Sequence, residues 1–266
     1  MEALLVSREN KIEDTVVSVG GFSVGGGNFS FIAGPCSVDS FETTLEIAKK
    51  VKNAGATLLR GGAFKPRTSP YAFQGLGEEG LEILAAVGKE TGLPVVSEIT
   101  DISQLKLFEK IDVLQIGARN SRNYELLKAI GKAEKPVILK RGMGDTVEEL
   151  LNSAEYIAMN GNSNIILCER GIRSFDNTLR NTLDIGGIIM LKEKTHLPVI
   201  ADPSHAAGTA KPIQRLSTAA AAAGADGLML EVHIDPDASL SDPEQAITPE
   251  EFGKIVREVK AIKTVI

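Results

Sequence analysis

Cysteine is scarce in this chain. Two residues in 266 cannot build a disulfide framework, and so sparing a use suits a reduced, intracellular setting. No long basic run occurs either, and a net charge of -6 argues further against nucleic acid as a partner. No apolar stretch is long enough to span a bilayer; the alanine run at 219–223 is short and reads as a helix packing closely on a sheet. Near the N-terminus Glu2, Arg8, Glu9 and Lys11 interrupt any apolar core of a signal peptide, so no membrane partner and a cytoplasmic location are expected. No shift in composition marks a linker or a second large domain.

What is present is regular alternation. Unbroken apolar runs fall at 29–33, 57–60, 95–97, 113–116, 137–140, 165–168, 199–201 and 228–231. Amphipathic segments of helix length lie at 40–54, 79–91, 103–110, 123–131, 146–160, 181–195 and 213–223, with a last one at 249–263. Strands without polar alternation are buried on both faces, which marks a parallel sheet. Eight such units in a chain of this length predict an α/β fold, a (β/α)8 TIM barrel over 29–266. Residues 1–28 stand outside the repeat. There 15–19 and 22–24, joined by Gly20-Gly21, predict a short N-terminal β-hairpin that plugs the barrel's lower mouth or meets another subunit.

The segment Arg60-Gly61-Gly62-Ala63-Phe64-Lys65-Pro66-Arg67-Thr68-Ser69-Pro70 follows the second predicted strand. It confines three cations and two hydroxyls between a glycine pair and two prolines, a composition suited to gripping a small anion. A merely solvated basic loop would account for the charges but not for that confinement. Barrel active sites lie at the C-terminal strand ends, and every predicted strand here ends in polar or ionisable groups. Cys36, Arg60, Glu98, Arg119 (beside Ala118), Lys140, Arg170, Asp202 with His205, and Glu231 with His233 stand there in turn. Cations converging on one mouth imply a substrate with several negative charges.

A second subset has different chemistry. Cys36, His205, Glu231 and Asp242 offer sulfur, imidazole and carboxylate donors, a set suited to a divalent transition metal such as Mn, Fe, Co or Zn. Asp235 competes with Asp242 for the fourth place. Cys168 and His196 read as packed residues, and His233 as a neighbour that supports the ligands. A lysine nucleophile at Lys140, forming a Schiff base, is the rival chemistry on such a barrel.

From Gly25 onward the chain resembles the short, single-domain Iβ type of the 3-deoxy-D-arabino-heptulosonate 7-phosphate (DAHP) synthases. The resemblance rests on Ala33-Gly34-Pro35-Cys36-Ser37, the 62–70 loop, Gln115-Ile116-Gly117-Ala118-Arg119-Asn120, Lys140-Arg141-Gly142, Glu169-Arg170-Gly171, Asp202-Pro203-Ser204-His205 and Glu231-Val232-His233. The related 3-deoxy-octulosonate 8-phosphate synthases, which use arabinose 5-phosphate, carry a Lys-Ala-Asn-Arg-Ser-type loop, so Lys65-Pro66-Arg67-Thr68 falls on the DAHP side.

The resemblance implies a metal-dependent condensation of phosphoenolpyruvate (PEP) with erythrose 4-phosphate, the first step of the shikimate pathway to aromatic amino acids. It implies Arg60, Lys65, Ala118, Arg119, Lys140 and Arg170 around PEP, and Arg67, Thr68 and Ser69 at the aldose phosphate. Glu98, with Asp202 or a metal-bound water, is expected to handle the proton of the attacking water, and Lys65 and Lys140 to act as acids. A homo-oligomer, dimer or tetramer, is expected, as is insensitivity to the aromatic amino acids.

Overall fold

A computed structural model of the chain describes residues 4–67 and 69–265. Strands β1 (Val17–Val19) and β2 (Phe22–Val24) form the N-terminal hairpin, with Val17 opposite Val24. Gly20 and Gly21 both take positive φ, 52° and 88°, as a tight two-residue turn between twisted strands requires.

The repeat then runs β3 (Ser30–Gly34), α1 (Phe41–Ala54), β4 (Leu58–Arg60), α2 (Glu78–Thr91), β5 (Val95–Ile99), β6 (Val113–Ile116), α3 (Tyr124–Gly131) and β7 (Val137–Lys140). It continues with α4 (Val147–Ala158), β8 (Ile165–Glu169), α5 (Ile185–Lys194), β9 (Val199–Ala201), α6 (Pro203–Ala207), α7 (Ile213–Ala222), β10 (Gly227–Glu231) and α8 (Pro249–Lys263). The eight strands from β3 to β10 pair in parallel, each with its sequence neighbour, and β10 closes on β3. The expected (β/α)8 barrel is what the chain forms. No helix of the described residues is long and apolar enough to cross a membrane.

Two buried layers follow from the pleat. Alternate residues such as Phe31 and Ala33 face the helices, while Ile32, Leu58, Val96, Val113, Ile138, Ile166, Ile200 and Met229 fill the barrel's interior. Val17, Val19 and Val24 of the hairpin join that interior cluster from below. Of the two roles expected for the hairpin, the structure shows the plug.

Three segments differ from expectation. The helix expected at 103–110 is wound as a 3-10 segment, Ile102–Lys110, started by a capping box between Asp101 and Gln104. Phe108 is its one fully buried residue, so it has no continuous apolar stripe to bury as an α-helix would. Residues 203–207, outside every helix expected from the sequence, form the short helix α6. Asp202 caps it by accepting from the His205 amide, Pro203 opens it, and Gly208 at φ 68° closes it. Finally, α5 begins at Ile185 rather than near Asn181, because Ile172 and Thr182 exchange backbone hydrogen bonds and keep 170–184 as a loop.

Candidate active site

The groups that line the candidate site stand at or beyond the C-terminal ends of the barrel strands. There they border a cavity of about 450 Å³ whose lining includes Lys65, Arg67, Arg119, Lys140, Arg170, Arg173 and Arg180. Glu98 and Asp242 are the only carboxylates among the lining residues, so the cavity carries a large excess of positive charge. The Ala118 segment, Ser69 and His205 border it too.

The cations are not equally occupied. The Lys140 ammonium lies 2.6 Å from Asp202 Oδ2, and both side chains are buried. Arg170 is buried and donates to the Gly171 and His205 carbonyls, at 3.3 Å and 3.2 Å. Burial lowers its pKa, a sign of a guanidinium short of negative partners. Among the described residues no carboxylate pairs with Arg119, Arg170 or Arg173, and these charges face the space an anion would fill.

Beside the cavity the sulfur and oxygen donors meet. One donor atom each from Cys36, Glu231 and Asp242 lie within 4.8 Å of one another. His205 approaches the same group, with Nε2 3.2 Å from Glu231 Oε1. Its Nδ1 is 2.7 Å from Asp202 Oδ2 but off the direction of a hydrogen bond, so that contact is a close ion-dipole approach rather than an aligned bond. Burial lowers the His205 pKa, against the pull of Asp202 and Glu231, and favours the neutral imidazole.

Glu231 is fully buried. Burial alone would raise its pKa, but His205, Arg60 and Lys65 hold it well below the usual carboxylate range. Burial, with Glu231, pushes the Cys36 thiol up to about 11. The Lys65 ammonium donates to the Cys36 sulfur at 3.0 Å and to its carbonyl at 2.9 Å. A thiol and two carboxylates crowded next to a neutral imidazole fit a transition metal with mixed S/N/O donors. Asp242, and not Asp235, stands in this group.

Arg60 is placed otherwise than its neighbours in the loop. It is buried beneath the cavity, donating to Glu231 Oε1 at 2.8 Å and to the Pro35 carbonyl at 2.9 Å, and it does not line the cavity. Asp202 likewise lies below, fully buried, holding Lys140 and the α6 N-terminus. Glu98 does line the cavity and accepts from the Gln115 amide at 3.0 Å. Its carboxylate lies against Gly117, where an added Cβ would sit 2.0 Å from Oε1. Thr68 lies outside the described residues.

Cys168 is packed in the barrel interior and His196 between Thr15 and the Leu5 carbonyl, both as expected. His233, expected beside the ligands, instead lies 3.4 Å from Asp39 and meets the Asp235 carbonyl. Sequence reasoning missed Arg173, Arg180 and Asn181. All three follow Glu169-Arg170-Gly171 in the loop that was assigned in part to a helix, and its further arginines were the available signal.

Comparison with known proteins agrees with this geometry. Residues 9–265 match the DAHP synthetase I family. The chain is 49% identical over 259 residues to a phospho-2-dehydro-3-deoxyheptonate aldolase of Thermotoga maritima, covering 97% of this chain and 77% of that one. A crystal structure of a T. maritima protein of that name, also called DAHP synthase, superposes with a TM-score of 0.96 at 48% identity, over 99% of this chain and 77% of that one. A truncated form of the T. maritima 3-deoxy-D-arabino-heptulosonate 7-phosphate synthase gives 0.92 at 45% identity, over 98% and 96%. A 2-dehydro-3-deoxyphosphooctonate aldolase of Syntrophotalea carbinolica is 37% identical over 262 residues, 91% of this chain and 94% of that one.

Proposed function

The chain belongs to the DAHP synthetase I family, and from that premise we propose that it condenses PEP with erythrose 4-phosphate and water to give DAHP and phosphate. The observation that carries this reading is the cavity itself, where seven cations face two carboxylates beside the Cys36, Glu231 and Asp242 group. PEP brings a phosphate and a carboxylate, and Lys140, Arg170 and Arg119, with the Ala118 backbone, suit both. Lys65 stands between this pocket and the sulfur of Cys36. Arg67 and Ser69 on the opposite loop, with Thr68, suit the phosphate of the aldose.

Held so, C3 of PEP attacks the aldehyde carbon, and the electron-poor C2 that results is captured by water. Glu98 takes the water's proton, Lys65 supplies a proton to the new hydroxyl oxygen, and phosphate leaves from C2. Asp202 holds the Lys140 ammonium in place at 2.6 Å, an orientation that suits it to bind an anion. Cys36, His205, Glu231 and Asp242 would hold a divalent transition metal, which supplies Lewis-acid polarisation of the aldehyde oxygen when bound.

The test is product identification with Mn-loaded protein, PEP and a panel of aldose phosphates. DAHP is the expected product, with kcat/KM higher for erythrose 4-phosphate than for arabinose 5-phosphate. Chelation is expected to abolish turnover and added Mn to restore it. The reverse aldose preference would move the protein to the octulosonate branch, and full activity after chelation would remove the metal.

A further inference from the structure

We propose that Arg180 is a second anchor for the phosphate of the aldose substrate, and that Asp242 occupies this anchor until a metal ion draws it away. The inference deepens the reaction proposed above and rests on it. Arg67 arrives from the loop after β4 and Arg180 from the loop after β8, across the cavity. Both reach the same carboxylate, Arg67 Nη1 at 3.2 Å from Asp242 Oδ2 and Arg180 Nη2 at 3.5 Å from Oδ1. Two guanidiniums closing on one small anion from two sides is the grip a phosphate dianion needs.

Arg180 is built into its position. Its amide donates to the Ala207 carbonyl at 3.1 Å, and the next amide, of Asn181, donates to Ala206 at 2.8 Å. The Asn181 side chain reaches the His205 carbonyl at 3.2 Å. The Arg180 side chain then lies on Gly208, where an added Cβ would stand 2.6 Å from Arg180 Cβ and 2.9 Å from its Nε. The arginine is thereby stitched to α6, the same helix that presents His205.

Asp242 has two sets of suitors. The Oδ2 atom held by Arg67 is also 3.3 Å from the Cys36 sulfur, beside Glu231. A carboxylate turned toward an ion among those donors gives up the arginines, which then take a phosphate in its stead. Metal and aldose phosphate therefore assist each other's binding, and linkage makes the effect reciprocal. Without the ion, Asp242 acts as an internal substitute for the substrate's phosphate.

Calorimetric titration with erythrose 4-phosphate tests this on wild-type, Arg180→Ala and Asp242→Ala protein, each with and without Mn. Metal-free wild type is expected to bind the sugar phosphate more weakly than metal-free Asp242→Ala, by about tenfold, because the competing carboxylate is gone. In steady state, Arg180→Ala is expected to raise KM for erythrose 4-phosphate about tenfold and leave that for PEP within about twofold, with Arg180→Lys between. Equal binding by the two metal-free proteins, or an unchanged aldose KM in Arg180→Ala, overturns the inference. Mn-loaded wild type that makes no DAHP overturns instead the reaction on which it rests, so the two failures are distinct.

Discussion

At the scale of single residues, the two cysteines make the sharpest contrast. Cys36 carries a thiol whose pKa of about 11 keeps it protonated near neutrality, so a metal that takes the sulfur as thiolate must expel its proton. Calorimetry in buffers of different ionisation enthalpy is expected to show release of about one proton per ion bound near neutral pH, and none from Cys36→Ser. Cys36→Ser should also weaken metal affinity, whereas Cys168→Ser, deep in the barrel interior, should leave it nearly unchanged. Arg60 belongs to a different case. It opens the loop that also carries Lys65 and Arg67, yet its charge is paired with buried Glu231. Arg60→Ala would strand that carboxylate without its partner, and a loss of roughly 3–5 kcal/mol in denaturant unfolding is expected.

At the scale of elements, the hairpin and the β9–α6 junction set the limits of what sequence reveals. Strands of the barrel are legible because burial on both faces leaves unbroken apolar runs, and helices α1, α2, α3, α4 and α8 announce themselves by amphipathic period and glycine or polar caps. Helix α6 has five residues, too few to show any period, so its Asp-Pro-Ser-His-Ala-Ala-Gly signature reads equally as a turn. The site was legible where a motif sits at a strand end, as with Cys36, Lys140, His205 and Glu231. It was not where a residue arrives by long-range folding of a loop, as Arg180 does. Nor does one-dimensional order distinguish Arg60, pointing under the floor, from Lys65 five residues on. In the hairpin, Gly20 combines φ 52° with a position where a Cβ would lie 2.4 Å from Pro94 Cγ. Gly20→Val is therefore expected to destabilise the fold by more than about 1 kcal/mol, seen as a lower Tm, with the metal donors undisturbed.

At the scale of the whole molecule, the charge that matters is local. The chain is acidic overall, and its cations are concentrated by eight strands delivering their ends to one mouth. That separates chemistry above from packing below, with the interior cluster between them. The hairpin that closes the lower end also bears on time. It is among the first segments of the chain, yet its partners in the interior cluster run from Ile32 to Met229, contributed by strands across almost the entire sequence. Its docking surface is complete only when β10 pairs with β3, so the hairpin is expected to dock after the barrel closes. Contacts formed after the rate-limiting barrier change escape from the folded state and not arrival at it. Val19→Ala is accordingly expected to speed unfolding in stopped-flow experiments while leaving the folding limb nearly unmoved, so that the plug sets how long the barrel lasts.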